Sequence, residues 1–595
     1  MKIFSAERNG LMIVALLTVG LGLYVPSVDA PYFHFDDKIT IADKFNDKNI
    51  LNIPGIWTAF NTRFLVGLTF ALNYVLGGLD PFSYRLVNVV IHSLTAVVVF
   101  RFCRLFFKTP ALAKQYSSDV GWHVSALAGL IFAVHPIQTE AVNFITQRFV
   151  LLASLFYLST LTLYLKARIS HKKEYLLGAL LTTWAAMFCK EFTVTLPLMV
   201  LLLEVMLFGQ CKDSRSRRFL YVLPFLLSLV IIPLTLLKTD YSTLGTAKIA
   251  DLHVTFEKDS YQQLDQQVDI TRAAGWPHSR MEYFLTELNV LRTYLRLLFV
   301  PLRQNIDYDY PVSHSLFEPG TFFSAILLLA ILVTAIAVYR RFPVLSFCIL
   351  WFFLVLSVES SIIPIGHVIA EYRLYLASVS MALMTALVIC FCVRNPRQKI
   401  WISVVLILAL GLLTWQRNTI WRNEELLWQD TVRKSPRKPR PYANLGAVLA
   451  NRKDYDQAKE FFQKAVALDP QFSRGYISIS YLYTHQLDYR SALPYALRAY
   501  EIVPVDKDYI HQLAYLYFHL NQWDQCSVFF QKLIALEPQE SHALDYSKVI
   551  IKSYLADGNK ERALQKIAVL EQYHFDALAE TVRAVIDGDG KNFLK

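Results

Sequence analysis

Residues 9–28 read NGLMIVALLTVGLGLYVPSV, twenty residues without a charge. A run of that length is enough to cross a hydrocarbon core, so it predicts a first transmembrane helix. Just beyond it, His34-Phe35-Asp36-Asp37 sets two adjacent carboxylates at the far mouth of the span. Water reaches acidic groups there, so they can work as base or ligand at the membrane surface. Val28-Asp29-Ala30 loosely resembles a signal-peptide cleavage site, but Pro31 directly after it argues for a retained anchor.

The rest of the chain extends this reading. Of 595 residues, 54% are hydrophobic and only 18% charged, against about 25% charged in ordinary globular domains, so much of the chain faces lipid. The bias is uneven. Residues 1–415 consist mostly of apolar runs, residues 437–595 have the polarity of a soluble domain, and residues 416–436 read as a connecting helix. The net charge of +11 comes from short basic clusters between apolar runs, which is how membrane topology is written, and no nucleic-acid partner is expected. The seven cysteines are scattered, with neither a disulfide framework nor zinc-ligand spacing.

Further apolar runs near 86–100, 120–139, 149–165, 175–189, 192–208, 219–237, 319–339, 342–358, 374–393 and 400–415 bring the expected number of spans to about eleven. Alternating the loops collects Lys2, Arg8, Arg101, Arg104, Lys166, Lys172, Arg217, Arg340 and Arg394 on one side, which is therefore the cytoplasmic one. The other side receives residues 29–85, the turns near 140–148 and 190, the long loop 239–318, the segment 359–373 and the C-terminal domain. Within the long loop, Phe284, Leu288, Leu291, Leu295 and Leu298 recur at helical spacing while Glu287, Arg292 and Arg296 fall elsewhere. That pattern predicts a helix lying in the interface.

Pro436, Pro470, Pro504 and Pro538 are 34 residues apart, the period of the helix-turn-helix tetratricopeptide repeat. The best copy supplies Tyr442, Leu445-Gly446, Leu449, Ala458, Phe462, Ala465 and Pro470. The next keeps Tyr476, Tyr483, Ala492, Ala499 and Pro504, and a third has Tyr517, Phe530 and Pro538. A fourth copy, Leu544 to Leu570, carries about three extra residues before Ala563. Such stacks expose concave surfaces that bind peptides; a passive spacer is the blander alternative.

The segments assigned to the external side hold Asp36, Asp37, Arg63, His135, Glu140, Arg148, Lys190, Glu191, Glu371 and Arg373. Taken singly, charges at span ends are most often anchors. As a set they suit glycosyl transfer from a lipid phosphate. A carboxylate takes the proton of the attacking hydroxyl, and arginine or lysine meets the charge gathering on the departing phosphate. No nucleotide-binding glycine motif is present. Hard-metal sites need more carboxylates than the sequence offers here, so no metal or other cofactor is expected; a divalent ion between Asp36 and a phosphate is the alternative.

An ordered series of motifs carries a family resemblance: Phe33-His34-Phe35-Asp36-Asp37, residues 68–84 (LTFALNYVLGGLDPFSY), Arg85, Asn88, His92, residues 129–142 (GLIFAVHPIQTEAV), Gln147-Arg148, Lys190-Glu191, residues 305–311 (NIDYDYP) and residues 369–376 (IAEYRLYL). In these the chain resembles the transmembrane-and-TPR-repeat proteins, GT-C glycosyltransferases related to protein O-mannosyltransferases. The resemblance implies an all-α GT-C membrane domain, a polyprenyl- or dolichyl-phosphate sugar donor and inversion at the anomeric carbon. Asp36 or Asp37, with Asp36 preferred, falls at the base position, and Glu140 at an acidic position of the second external loop. Arg148 and Arg373 fall at basic positions assigned to the lipid phosphate, joined by Lys190 and Arg63; His135 and Glu371 are assigned to positioning the acceptor or the loops. Animal members have Arg-Ala-Asp where this chain has Arg148-Phe149-Val150, and they carry more repeats. Both departures are similar to bacterial members, and the compact chain ending Asn592-Phe593-Leu594-Lys595 without a retention signal agrees. An inner-membrane protein with a periplasmic repeat domain is expected, or one of the endoplasmic reticulum in a eukaryote. The main expectation is transfer to Ser/Thr hydroxyls of envelope proteins held by the repeats. The alternatives are a lipid or polysaccharide acceptor, and a non-enzymatic scaffold.

Overall fold

The computed structural model describes residues 2–34, 37–45, 51–209, 215–232, 279–365, 367–536, 538 and 540–587. Every regular element among the described residues is a helix. The chain divides into two compact units, one ending at Leu427 and one beginning at Trp428.

Among the described residues of the first unit, six helices are long and apolar enough to cross a membrane: Pro81–Phe106, Ile145–Ser170, Glu191–Phe208, Pro319–Val338, Glu371–Cys392 and Pro396–Trp421. Two shorter apolar helices, Ser118–Val134 and Pro343–Leu356, accompany them. This is a multi-pass membrane protein. The expected run at 9–28 lies in a helix that closes earlier, at Leu23, and the run at 175–189 forms the helix Lys173–Met187. The final apolar helix continues past residue 415 to Trp421, and a separate helix, Glu424–Lys434, follows.

Burial sorts these helices. Pro81–Phe106, Ile145–Ser170 and Glu371–Cys392 each have 67% of their apolar window buried, whereas Pro319–Val338 has 22% and Pro396–Trp421 11%. The first three build the core, and the last two turn their leucines and isoleucines outward. Between helices in lipid the hydrophobic effect offers little preference, so packing and polar contacts specify the partners. Thr160 meets Thr182 across a helix pair at 2.8 Å. Asn289 donates to Ser313 and Thr321 and accepts from Ser324.

The most costly such contact is an ion pair. Arg168 donates to both carboxylate oxygens of Glu204 at 2.9 Å, Tyr164 adds a third donor at 2.6 Å, and the rings of Phe208 and Tyr221 lie over the guanidinium. A buried pair endures only with such complete hydrogen bonding.

The two ends of the unit differ in kind. Arg8 lies 3.6 Å over the Trp122 ring and 3.5 Å from Asp119, at the start of the helix Ser118–Val134. The other end of that helix, roughly 25 Å away at 1.5 Å per residue, opens into His135. There the segments around residues 30–45, 135–148, 190, 298–311 and 359–373 come together.

The predicted interface helix forms as Arg280–Phe299, started by a capping box in which Ser279 and Glu282 satisfy each other's backbone N–H groups. Its buried face differs from the expected one. Tyr283, Glu287, Val290, Tyr294 and Leu298 point inward, while Phe284 is exposed. Glu287 turns in because Arg373 stands opposite it, at 3.9 Å.

The second unit is a stack of helix pairs: Pro439–Asn451 with Tyr455–Leu468, Ser473–His485 with Tyr489–Ile502, Lys507–His519 with Trp523–Leu536, and Glu540–Asp557 with Lys560–Gln572, followed by Asp576–Asp587. The turn inside each pair passes through a left-handed residue, Lys453, Leu487, Asn521 and then Gly558. The first three keep the 34-residue step. The last is displaced by three, in step with the extra residues of the fourth copy, whose first helix runs to 18 residues against 13 in the others. Within the first pair, a Cβ on Gly446 would stand 2.7 Å from the Phe462 ring, so the close approach of the two helices requires glycine.

Two substitutions test this account by thermal unfolding of the full chain. Gly446→Ala overpacks the first pair and costs about 1–3 kcal/mol. Leu487 is 71% exposed at a φ of 60°, so Leu487→Asn relieves strain with little lost packing and gains about 0.5–1 kcal/mol.

Candidate active site

One helix organises the loops. Pro81–Phe106 presents Arg85, Asn88 and His92 along one face, and all three are buried. Arg85 donates to the carbonyls of Ala30 and Tyr32 and, at 3.4 Å, to that of Asn143. Asn88 donates to Val142 and Ile145, and His92 sits between the Tyr375 hydroxyl and the Ala133 carbonyl. These motif residues are internal fasteners that hold the segment after the first helix against the 135–148 turn.

Asp37 completes the fastening. It is fully buried, and its carboxylate accepts the backbone N–H groups of His34 (3.1 Å), Ile145 (3.3 Å) and Thr146 (2.7 Å). Burial pushes its carboxyl up to about 7, against the Thr146 and His34 N–H groups and the Arg85 guanidinium. Both oxygens are spent on backbone, so Asp37 is a clamp between the two segments and not a free base. Asp36, the preferred base from the sequence, lies outside the described residues.

Glu140, on the short helix Gln138–Asn143, stands beside Glu371. Its Oε2 accepts the Tyr372 backbone N–H at 3.0 Å. Glu371 is gripped by Gln304 Nε2 (2.6 Å), the Asn305 N–H (2.5 Å) and the Tyr308 hydroxyl (2.5 Å), which brings the NIDYDYP and IAEYRLYL motifs into contact. Burial and the Glu371 carboxylate push the Glu140 carboxyl well above the usual carboxylate range, and Arg417 of the last apolar helix pulls the other way. His135 latches the turn. Its Nδ1 accepts from the Ile137 N–H, so the proton is assigned to Nε2, which donates to the Leu298 carbonyl at 3.0 Å. Burial lowers its pKa to about 4, keeping the ring neutral.

On the other side of Tyr372 lies a group of cations, each with a carboxylate. Arg63 forms a two-point pair with Glu191 at 3.0 and 3.1 Å, supported by the Thr62 hydroxyl. Lys190 pairs with Glu359 at 2.8 Å, and its ammonium lies 4.7 Å from the centre of the Tyr372 ring. Arg373 is directed away from these two, toward the carbonyls of His367 and Val368 and toward Glu287. Burial pushes Glu287 up to about 7, opposed by Arg373.

Arg148 stands apart. Its Nε donates to Asn88, Nη1 to Asn73 and Thr69, and Nη2 to the Tyr84 carbonyl, while the Phe70 ring packs 4.5 Å from the guanidinium. All three nitrogens are taken by protein and the residue is fully buried, which leaves it no phosphate to bind. Glu359, Tyr372, Tyr308, Gln304 and Glu287 are additions that the charged positions in the sequence did not single out. The available signal for Glu287 was an acid inside an otherwise apolar helix, and for Glu359 an acid closing the apolar run 342–358.

Arg148→Met leaves buried amide and carbonyl oxygens without a donor. It is expected to cost about 3 kcal/mol or more in thermal stability, while the folded fraction binds a lipid-phosphate ligand as the wild type does.

A tetratricopeptide-repeat family model matches residues 439–472. The chain is 25% identical over 438 residues to human protein O-mannosyl-transferase TMTC3, a match covering 68% of this chain and 44% of that protein. It is 24% identical over 563 residues to Xenopus laevis protein O-mannosyl-transferase tmtc2, covering 76% and 62%. Among solved structures, ArnT from Cupriavidus metallidurans bound to undecaprenyl phosphate aligns over 89% of this chain and 88% of its own, with 14% identity and a TM-score of 0.39. The chain spans about half the length of the curated relatives it matches. Over some two thirds of its length, this membrane protein with a tetratricopeptide-repeat match is similar to proteins named protein O-mannosyl-transferases.

Proposed function

We propose that the chain is an inverting GT-C glycosyltransferase that moves a sugar, mannose by its relatives' names, from a polyprenyl phosphate to Ser/Thr hydroxyls of a polypeptide. The observation that carries this reading is Tyr372. Its backbone holds Glu140 and its ring lies against Lys190, so a carboxylate and a cation flank one residue. A base and a cation about one residue suit a donor whose anomeric carbon is bonded directly to a phosphate oxygen. Glu140 takes the acceptor proton as the hydroxyl oxygen bonds to the anomeric carbon, and the bond from that carbon to the phosphate oxygen breaks. Lys190 and Arg63 receive the charge left on the lipid phosphate. Asp37, His135, Glu371 and Arg373 hold the loops that carry these groups. The repeats present the acceptor, and the site faces the side of the membrane away from the cytoplasm, in a bacterium the periplasm.

The decisive assay offers polyprenyl-phosphate mannose and a Ser/Thr-rich polypeptide to the purified full chain, with Glu140→Gln and Asp36→Asn beside the wild type. Glu140→Gln keeps an acceptor for the Tyr372 N–H, so it is expected to bind donor but lose at least about a hundredfold in transfer. Loss in Asp36→Asn alone would move the base to Asp36. No transfer from any polyprenyl-phosphate sugar by folded protein would favour a scaffold instead.

The pH profile gives an independent check. A base must be unprotonated, and Glu140 holds its proton to higher pH than an ordinary carboxylate. Activity therefore falls with acidification from well above the usual carboxylate range, and the group's contribution to stability runs oppositely, weakening as pH rises through its titration.

A further inference from the structure

The cations proposed to meet the phosphate are not vacant. Lys190 lies in the field of Arg63, and with Glu191 and Glu359 the two make a group of two positive and two negative charges, beside which the Arg373–Glu287 pair also faces Glu359. The two pairs are not equivalent. Arg63 and Glu191 are joined by two parallel bonds with a third donor from Thr62, and neither residue can leave without breaking several contacts. Lys190 and Glu359 share one 2.8 Å contact, and their side chains are 10% and 11% exposed. Glu359 sits in the turn after the helix Pro343–Leu356, so its side chain can swing without moving a helix. Its backbone is meanwhile tied to the interface helix through the Tyr283 hydroxyl.

We infer that Glu359 is a displaceable counter-ion, occupying on Lys190 the place that a phosphoryl oxygen of the lipid donor takes. The inference rests on the reading of the site given above. A carboxylate oxygen at 2.8 Å stands where a charge-assisted bond to phosphate would form. With Glu359 in place the group is neutral and has little net attraction for an anion. With Glu359 swung out it carries one positive charge, which matches the single negative charge of a phosphodiester donor. Transfer then forms the bond from acceptor oxygen to anomeric carbon, breaks the bond from that carbon to phosphate oxygen, and leaves the acceptor proton on the base. The departing lipid phosphate is now a monoester with close to two negative charges, and Lys190 would hold it strongly. The return of Glu359 opposes that hold and releases it. Glu359 is thus a positioning residue that tunes how tightly substrate and product phosphate are kept.

The test measures binding of polyprenyl phosphate to the full chain in lipid nanodiscs, with turnover in parallel, for wild type, Glu359→Gln, Glu359→Asp and Lys190→Ala/Glu359→Gln. Glu359→Gln is expected to bind the lipid phosphate about tenfold more tightly, with both KM for the donor and kcat lowered because product leaves slowly. Glu359→Asp should restore wild-type behaviour, and removing Lys190 should abolish the gain. Loss of a merely structural pair would weaken binding instead. Millimolar inorganic phosphate serves as competitor: displacement shows that the phosphate group alone is recognised, and resistance shows that the lipid headgroup in its membrane is. Wild type that binds polyprenyl phosphate, with Glu359→Gln binding it no better, overturns the inference alone. Wild type that binds none overturns the reading of the site and the inference with it.

Discussion

A single buried carboxylate ties the loops at one end of the membrane unit together. Asp37 accepts three backbone N–H groups, one from its own segment and two from the 145–146 turn. With Arg85 holding the Ala30 and Tyr32 carbonyls, the segment leaving the first helix cannot move independently of the turn that carries Glu140. Glu140 in turn accepts from Tyr372, whose ring lies against Lys190, whose partner is Glu359. These separate stretches of chain are thus fixed relative to one another by side chains that reach backbone and, at Lys190, by contacts between side chains. Such contacts are strong where water is excluded and hold geometry better than loop conformation alone.

The same end of the molecule also shows a division of labour among charges. Arg85 and Arg148 spend their guanidinium on backbone carbonyls, amide side chains and a hydroxyl, gluing helices to loops, and Arg373 divides its own between the His367 and Val368 carbonyls and Glu287. Arg63 and Lys190 instead face carboxylates. An arginine wrapped in neutral carbonyls has no partner to exchange, whereas an ion pair can trade one anion for another. The chemistry proposed for the site depends on that second kind.

Much of the fold is legible in the sequence. Apolar runs mark the helices, and a repeat announces itself by its proline and tyrosine spacing even where the third and fourth copies drift, because each copy solves the same close-packing problem. The site is less legible. Glu140, Lys190 and Arg63 stand out as charges at the ends of apolar runs; the structure sets Glu140 and Lys190 against one residue, Tyr372, and Arg63 in the field of Lys190. Arg148 carries the same mark but is consumed by Asn88, Asn73, Thr69 and Tyr84, which lie on two other helices. Sequence records that a cation heads a span; it does not record what three-dimensional neighbours will offer it. Glu287 shows the converse. Leucine spacing marks its helix, but the buried stripe is rotated from that spacing toward a lone acid whose partner, Arg373, is 86 residues away.

The Arg168–Glu204 pair lies near the ends of its two helices that point away from the candidate site, and bears on how the protein is made. Its members belong to helices separated by an intervening one, Lys173–Met187, so the arginine is synthesised well before its partner. A lone charge within a membrane helix costs a few kilocalories per mole, and the arginine can defer that cost by reaching for the interface at its helix end. Glu204 has no such exit once its helix is in lipid, because it lies four residues inside the end at Phe208. Insertion of the helix Leu196–Phe208 is therefore coupled to capture by an arginine already waiting there, which gives these three helices an order of assembly written into one ion pair.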